Sequence, residues 1–197
     1  MPRKISVKRA SFKFHKQVEA IEQFVHIVDN CGLSSEHRAW CYDHAIIRMY
    51  RNFEELMLTT ITAAININPA TISHASGIRF PKHLSQGVCR YLVVGRGFFD
   101  FRGRDGLIKK LRTYIPEAHP LVRIVGSRGF KQSLERLSAL RNFAAHDSIQ
   151  AKRSALTASG QRRLKSAGHW LLKNKRFSKL TQDMKLIAIA LNASAPY

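Results

Sequence analysis

Leu134-Glu135-Arg136-Leu137-Ser138-Ala139-Leu140-Arg141-Asn142-Phe143-Ala144-Ala145-His146-Asp147-Ser148 is the stretch that decides how the rest of the chain is read. With Phe130 just ahead of it, Leu134, Leu137 and Ala144 recur at spacings of four, three and seven, which lays one apolar stripe along a helix. At about 100° per residue, Asn142 and His146 are i, i+4 neighbours and are expected on one face. Arg141 falls close to the apolar stripe, where a cation needs a partner, a ligand or an interface. These residue types suit phosphodiester chemistry. A histidine exchanges a proton near neutral pH, an arginine offers a fixed fork of donors to a phosphate gaining charge, and an amide positions a hydroxyl or a phosphate oxygen.

Composition points the same way. The chain has 197 residues, with 33 Lys and Arg against 13 Asp and Glu, a net charge of +20 and a pI near 10.6. Such an excess calls for a polyanionic partner, nucleic acid first and an acidic membrane surface or acidic protein after it. An apolar content of 45% excludes wholesale disorder. Three cysteines, Cys31, Cys41 and Cys89, make no disulfide framework and suit a reducing cytoplasm. No apolar run reaches membrane-spanning length, Leu56 to Ile67 being interrupted by Thr and Asn, and no apolar segment follows the basic start as a secretory signal requires.

Arg141-Asn142-Phe143-Ala144-Ala145-His146 resembles the signature of the HEPN superfamily, an Arg usually followed by Asn and then a His after four to six residues. Other Arg/His pairs at similar spacing, such as Arg38/His44 and Arg163/His169, lack the Asn. The second Arg-Asn pair, Arg51-Asn52, has no His at the required distance. The resemblance implies an all-α antiparallel bundle with extra N- and C-terminal helices, a homodimer with a composite active site, and a metal-independent endoribonuclease without a cofactor. On that reading Arg141, Asn142 and His146 are catalytic. RNA is the substrate, attacked by its own 2′-hydroxyl to leave a 2′,3′-cyclic phosphate. The family also implies a toxin or antiphage defence effector, with an antitoxin or other regulatory partner. Ser148 stands where toxins paired with a nucleotidyltransferase antitoxin carry a Tyr. HEPN domains often place an acid on an early helix near the motif, and Glu54 and Glu55 are both candidates for it. The alternative function is a non-catalytic nucleic-acid-binding helical module. A third is a helical scaffold whose acidic partner masks the basic face.

Residues 1–13, with Arg3, Lys4, Lys8, Arg9 and Lys13, read as a basic flexible arm, and residues 14–197 as a single helical domain. Helices are expected from Phe14 to Asn30 and from Glu36 to Asn66, the second capped by Ser34 or Ser35 and ended by Pro69. His37, Cys41 and His44 share a helix face, but paired zinc-ligand spacings are missing, so packing between helices is expected there rather than a metal. Residues 68–82 read as a loop, His83 to Val94 as a short helix, and Asp105 as the cap of a helix through Thr113. Between them lies Arg96-Gly97-Phe98-Phe99-Asp100-Phe101-Arg102-Gly103, either a connector whose Phe residues cap the core or an RNA-stacking loop. Its glycines lack the spacing of a nucleotide-binding loop.

Nine Lys or Arg and no acid lie between Ala151 and Leu180. Arg153, Arg162, Arg163, Lys165, Lys173, Lys175 and Arg176 are therefore the candidate RNA-binding residues. A last helix is expected from Thr181 to Leu191.

Overall fold

Neither Gly nor Pro occurs between Ser35 and Ile67, and these 33 residues form one uninterrupted helix about 50 Å long. The Ser34 hydroxyl starts it by accepting from the His37 N–H at 3.2 Å, and Asn68-Pro69 ends it. The computed structural model describes residues 5–146 and 148–195. Among the described residues there are ten helices and no strand. They are α1 (Val7–Asn30), α2 (Ser35–Ile67), α3 (Ala70–Ser76), α4 (Gln86–Val94), α5 (Gly103–Arg112), α6 (Pro120–Gly126), α7 (Arg128–Ala145), α8 (Ile149–Ser159), α9 (Ala167–Leu171) and α10 (Arg176–Ser194). The protein is an all-α bundle.

Helix α2 is its axis. It packs on α1, α4, α7 and α9, while α10 lies along α1, and α7 also carries α5 and α8. The second half of α2 is buried almost all round, from Leu56 through Asn66 with only Thr59 partly open. The threonines that interrupt this apolar run are satisfied inside it. Thr60 and Thr62 hydroxyls donate to the Leu56 and Leu58 carbonyls, both at 2.7 Å. The run is a core span, and no described helix is long and apolar enough to cross a membrane.

Helix α4 starts at Gln86 rather than His83, because the Ser85 hydroxyl caps it, and four further elements differ from the sequence reading for local reasons. Helix α1 begins at Val7, because the Ser6 hydroxyl caps it and Val7, Ser11 and Phe14 bury one stripe. Residues 7–13 are thus helical, and Arg3 and Lys4 of the expected arm lie outside the described residues. The expected loop over 68–82 contains α3, initiated where the Asn68 side chain accepts from the Ala70 N–H at 3.2 Å. Helix α10 starts at Arg176 rather than Thr181, since Phe177 and Leu180 extend the buried stripe of Met184, Ile187 and Leu191.

The fourth concerns α5. Asp105 sits exposed in its first turn and pairs with Arg104 instead of capping. The cap comes from α7. Ser138 Oγ accepts from the Gly103 N–H at 3.2 Å, and the Glu135 carboxylate accepts from the Arg104 N–H at 3.0 Å. Gly103 adopts φ of 61°, and a Cβ there would lie 2.7 Å from a Glu135 oxygen, so no other residue fits without displacing the cap.

Helix α9 touches α2 by backbone. A Cβ on Gly168 would stand 1.9 Å from the Ala39 carbonyl oxygen, and the Gly168 N–H donates to Asp43 at 2.6 Å. Beside this contact, two guanidinium groups lie over Trp170. Arg176 is 4.6 Å and Arg136 5.2 Å from its ring centroid.

Candidate active site

Helix α7 delivers Arg141 to the lining of a groove, with Asn142 beside it. The Arg141 Nη1 donates to Asn142 Oδ1 at 2.9 Å, and its Cζ stands 4.9 Å from the centre of the Tyr50 ring on α2. Arg141 is half-buried, and its Nε is buried without a hydrogen-bond partner among the described residues. Tyr50 is itself fixed, its hydroxyl donating to the Phe101 carbonyl at 3.2 Å. Burial pushes the Tyr50 hydroxyl above its ordinary pKa, and the negative charges of Glu54 and Asp100 push in the same direction.

One turn along α2 from Tyr50, Glu54 occupies the same neighbourhood. Burial pushes its carboxyl up to about 7, against the pull of Arg141; Asp100 raises it further, and a hydrogen bond with Tyr50 lowers it. Glu55, about 100° round the helix, faces outward. It accepts from Arg90 of α4 at 3.2 and 3.4 Å. Of the two acids left open by the sequence, Glu54 is the one beside Arg141 and Glu55 is an exposed ion-pair partner.

His146 is placed differently from the sequence expectation. Helix α7 ends at Ala145, and His146 has extended backbone with φ −137° and ψ 119°. The i, i+4 rule therefore does not set its side chain beside Asn142. Ser148 explains the exit, because its hydroxyl accepts from the Ala151 N–H at 3.1 Å and starts α8. Only the backbone of His146 stays attached to the helix, through its N–H to the Asn142 carbonyl at 3.0 Å. The residue is exposed.

The groove holds about 1720 Å³. Among the described residues that line it, Arg141 and Glu54 are present and His146 is not. The rest of its wall comes from the first half of α1, α2, Gln86 and Arg90 of α4, the loop after α4 and Asn192 of α10. That loop divides its phenylalanines. Phe99 and Phe101 are buried in an aromatic cluster with Tyr50 and Phe53, whereas Phe98 is 92% exposed at the groove. The connector reading of the loop thus holds for Phe99 and Phe101, while Phe98 is left open to solvent.

The seven basic candidates of the C-terminal region are not in the groove lining. Arg153, Arg162, Arg163, Lys173 and Lys175 are exposed. Lys165 is tied to Glu36 in an ion pair. Arg176 lies over Trp170 and donates to the Trp170 carbonyl at 3.1 Å, so it is a packing residue rather than a free cation. His37 and His44 are exposed rather than packed between helices, with Cys41 half-buried between them in sequence; the His37 ring meets Trp40 at 5.0 Å.

The sequence reading missed Tyr50 and Asp100. Tyr50 carries the period of the buried α2 stripe and looks like core, and Asp100 reaches the site through a loop. Comparison with protein-family models, with curated proteins and with solved structures found no match.

Proposed function

We propose that this protein is a metal-independent endoribonuclease of the HEPN type, acting as a cytoplasmic homodimer with a composite site and serving as a toxin or defence effector held by a regulatory partner. The observation that carries the reading is Arg141. A half-buried guanidinium, braced by Asn142 and the Tyr50 face, lies at a groove where a phosphate can meet it.

In this mechanism His146 takes the proton from the RNA 2′-hydroxyl, whose oxygen attacks the adjacent phosphorus. The 5′-oxygen leaves with a proton returned by a histidine, and the product ends in a 2′,3′-cyclic phosphate. Arg141 stabilises the charge that builds on the pentavalent phosphate. Asn142 holds the Arg141 fork in plane, and Glu54 sets the local charge. A two-fold partner supports the arrangement because His146, exposed at the helix end, is free to complete a site shared between copies.

The test is incubation of RNA with the protein in excess EDTA, beside Arg141→Ala and His146→Ala. Cleavage to cyclic phosphate ends is expected, with each variant slower by at least about 100-fold and a 2′-deoxy linkage at the cut site resistant. Variants that cut as fast as the parent would overturn the assignment. One observation favours a second reading, a non-catalytic nucleic-acid-binding module: His146 stands outside the groove that Arg141 lines. Intact RNA with salt-sensitive binding is its signature.

A further inference from the structure

The groove has a chemistry of its own beyond the motif. From α1 come Lys8, Arg9 and Lys13, and from α2 Arg48 and Arg51, all exposed and all in its lining. On α1 Arg9 and Lys13 are i, i+4 neighbours with Lys8 about 100° from Arg9, and on α2 Arg48 and Arg51 are i, i+3, so both helices turn cations to the same trough. Three acids share the wall and do not cancel these five cations: Glu55 is engaged by Arg90, Glu54 is held partly neutral by burial, and Asp100 is exposed. Two aromatic rings are exposed among these cations, Phe98 at 92% and Phe12 at 61%, the latter with Lys16 Nζ 5.8 Å from its ring centre. An exposed Phe next to a row of cations matches an unpaired base next to its phosphates, and a duplex keeps its base faces stacked away from such rings.

We infer that this groove is a track for single-stranded RNA, with phosphates on the α1 and α2 cations and bases on Phe12 and Phe98, running to Arg141. The inference rests on the ribonuclease reading for the choice of RNA, and it locates the substrate path on the N-terminal half of the chain rather than on the basic C-terminal region.

The experiment uses full-length protein carrying His146→Ala, so that the probe stays intact. A fluorescein-labelled 20-nucleotide single strand of mixed sequence, and the same strand in an RNA duplex, are titrated by anisotropy across a salt series. Arg48→Gln/Arg51→Gln is expected to weaken single-strand binding about tenfold or more and to lower the salt slope by about 1.4. Phe98→Ala is expected to cost about tenfold on the single strand and little on the duplex. Arg153→Gln/Lys173→Gln, away from the groove, is expected to leave both unchanged. Circular dichroism melting checks that each variant folds, and the near-complete exposure of Phe98 makes its removal harmless to the core. A larger loss from the C-terminal pair than from the groove pair, or a duplex bound as tightly as the single strand, overturns the track. If the parent protein cuts RNA while the groove variants bind and cut normally, the track fails and the nuclease stands. If the groove variants lose binding and the parent cuts nothing, the nuclease fails and the track stands.

Discussion

Two regions of this chain are rich in cations, and they differ in how some of those cations are engaged. Around α9, two of the basic residues are bound up in structure: Lys165 is paired with Glu36, and Arg176 lies over Trp170, as Arg136 also does. Along α1 and α2, Lys8, Arg9, Arg48 and Arg51 project into open space over an otherwise buried bundle. By sequence the first region is the more basic, an acid-free run of nine cations. Arg153, Arg162, Arg163, Lys173 and Lys175 of that run are exposed too, so charge density along a chain does not say which cations are free; what each one touches does.

The contrast breaks most sharply at Gly168. Gly168→Ala puts a methyl group into the Ala39 carbonyl, which must force α9 off α2, and a loss of about 3 kcal/mol or more is expected in urea unfolding. A smaller effect separates the two kinds of cation directly. Arg176→Ala is expected to cost about 1–2 kcal/mol, through the Trp170 stacking and the bond to its carbonyl, while Arg153→Ala stays within about 0.5 kcal/mol. Equal losses would erase the distinction between a structural and a free cation.

The groove side has a pH signature of its own. The Glu54 carboxyl is raised from 4.5 to about 7 on folding, so the folded protein binds a proton there more tightly than the unfolded chain. The resulting stability is full below about pH 4.5 and is lost as pH rises through about 7. Allowing for solvent screening at a part-exposed site, its size is about 1 kcal/mol. Glu54→Gln is expected to flatten this part of a stability-versus-pH curve. Arg141→Ala is expected to move the Glu54 titration upward, as read by carboxyl carbon NMR, because the guanidinium holds it down. A curve unchanged by Glu54→Gln would place the titration elsewhere.

Much of this architecture was legible in the sequence. The apolar periods of α2 and α7, and the lack of Gly and Pro inside α2, announced the long helices. Arg141-Asn142 stood out among the Arg/His pairs, and the structure sets Asn142 against the Arg141 guanidinium. The exit of the chain at His146 was harder to see, because no Gly marks it and the signal lies in the Ser148 cap of the following helix. The groove was not legible at all. Residues 8–13 and 48–51 meet only because α1 folds back along α2, where Phe14 and Phe53 pack with ring centres 6.0 Å apart. Linear spacing carries no trace of a surface made by such pairing.

The cap that α7 places on α5 has a mechanical consequence. Ser138 and Glu135 hold the backbone at Gly103 and Arg104, three or four residues from Asp100, while Arg141 rises from the next turn of the same helix. The carboxylate and the guanidinium that bracket Glu54 are therefore geared together. A tilt of α7 would move both at once and change the charge felt at Glu54.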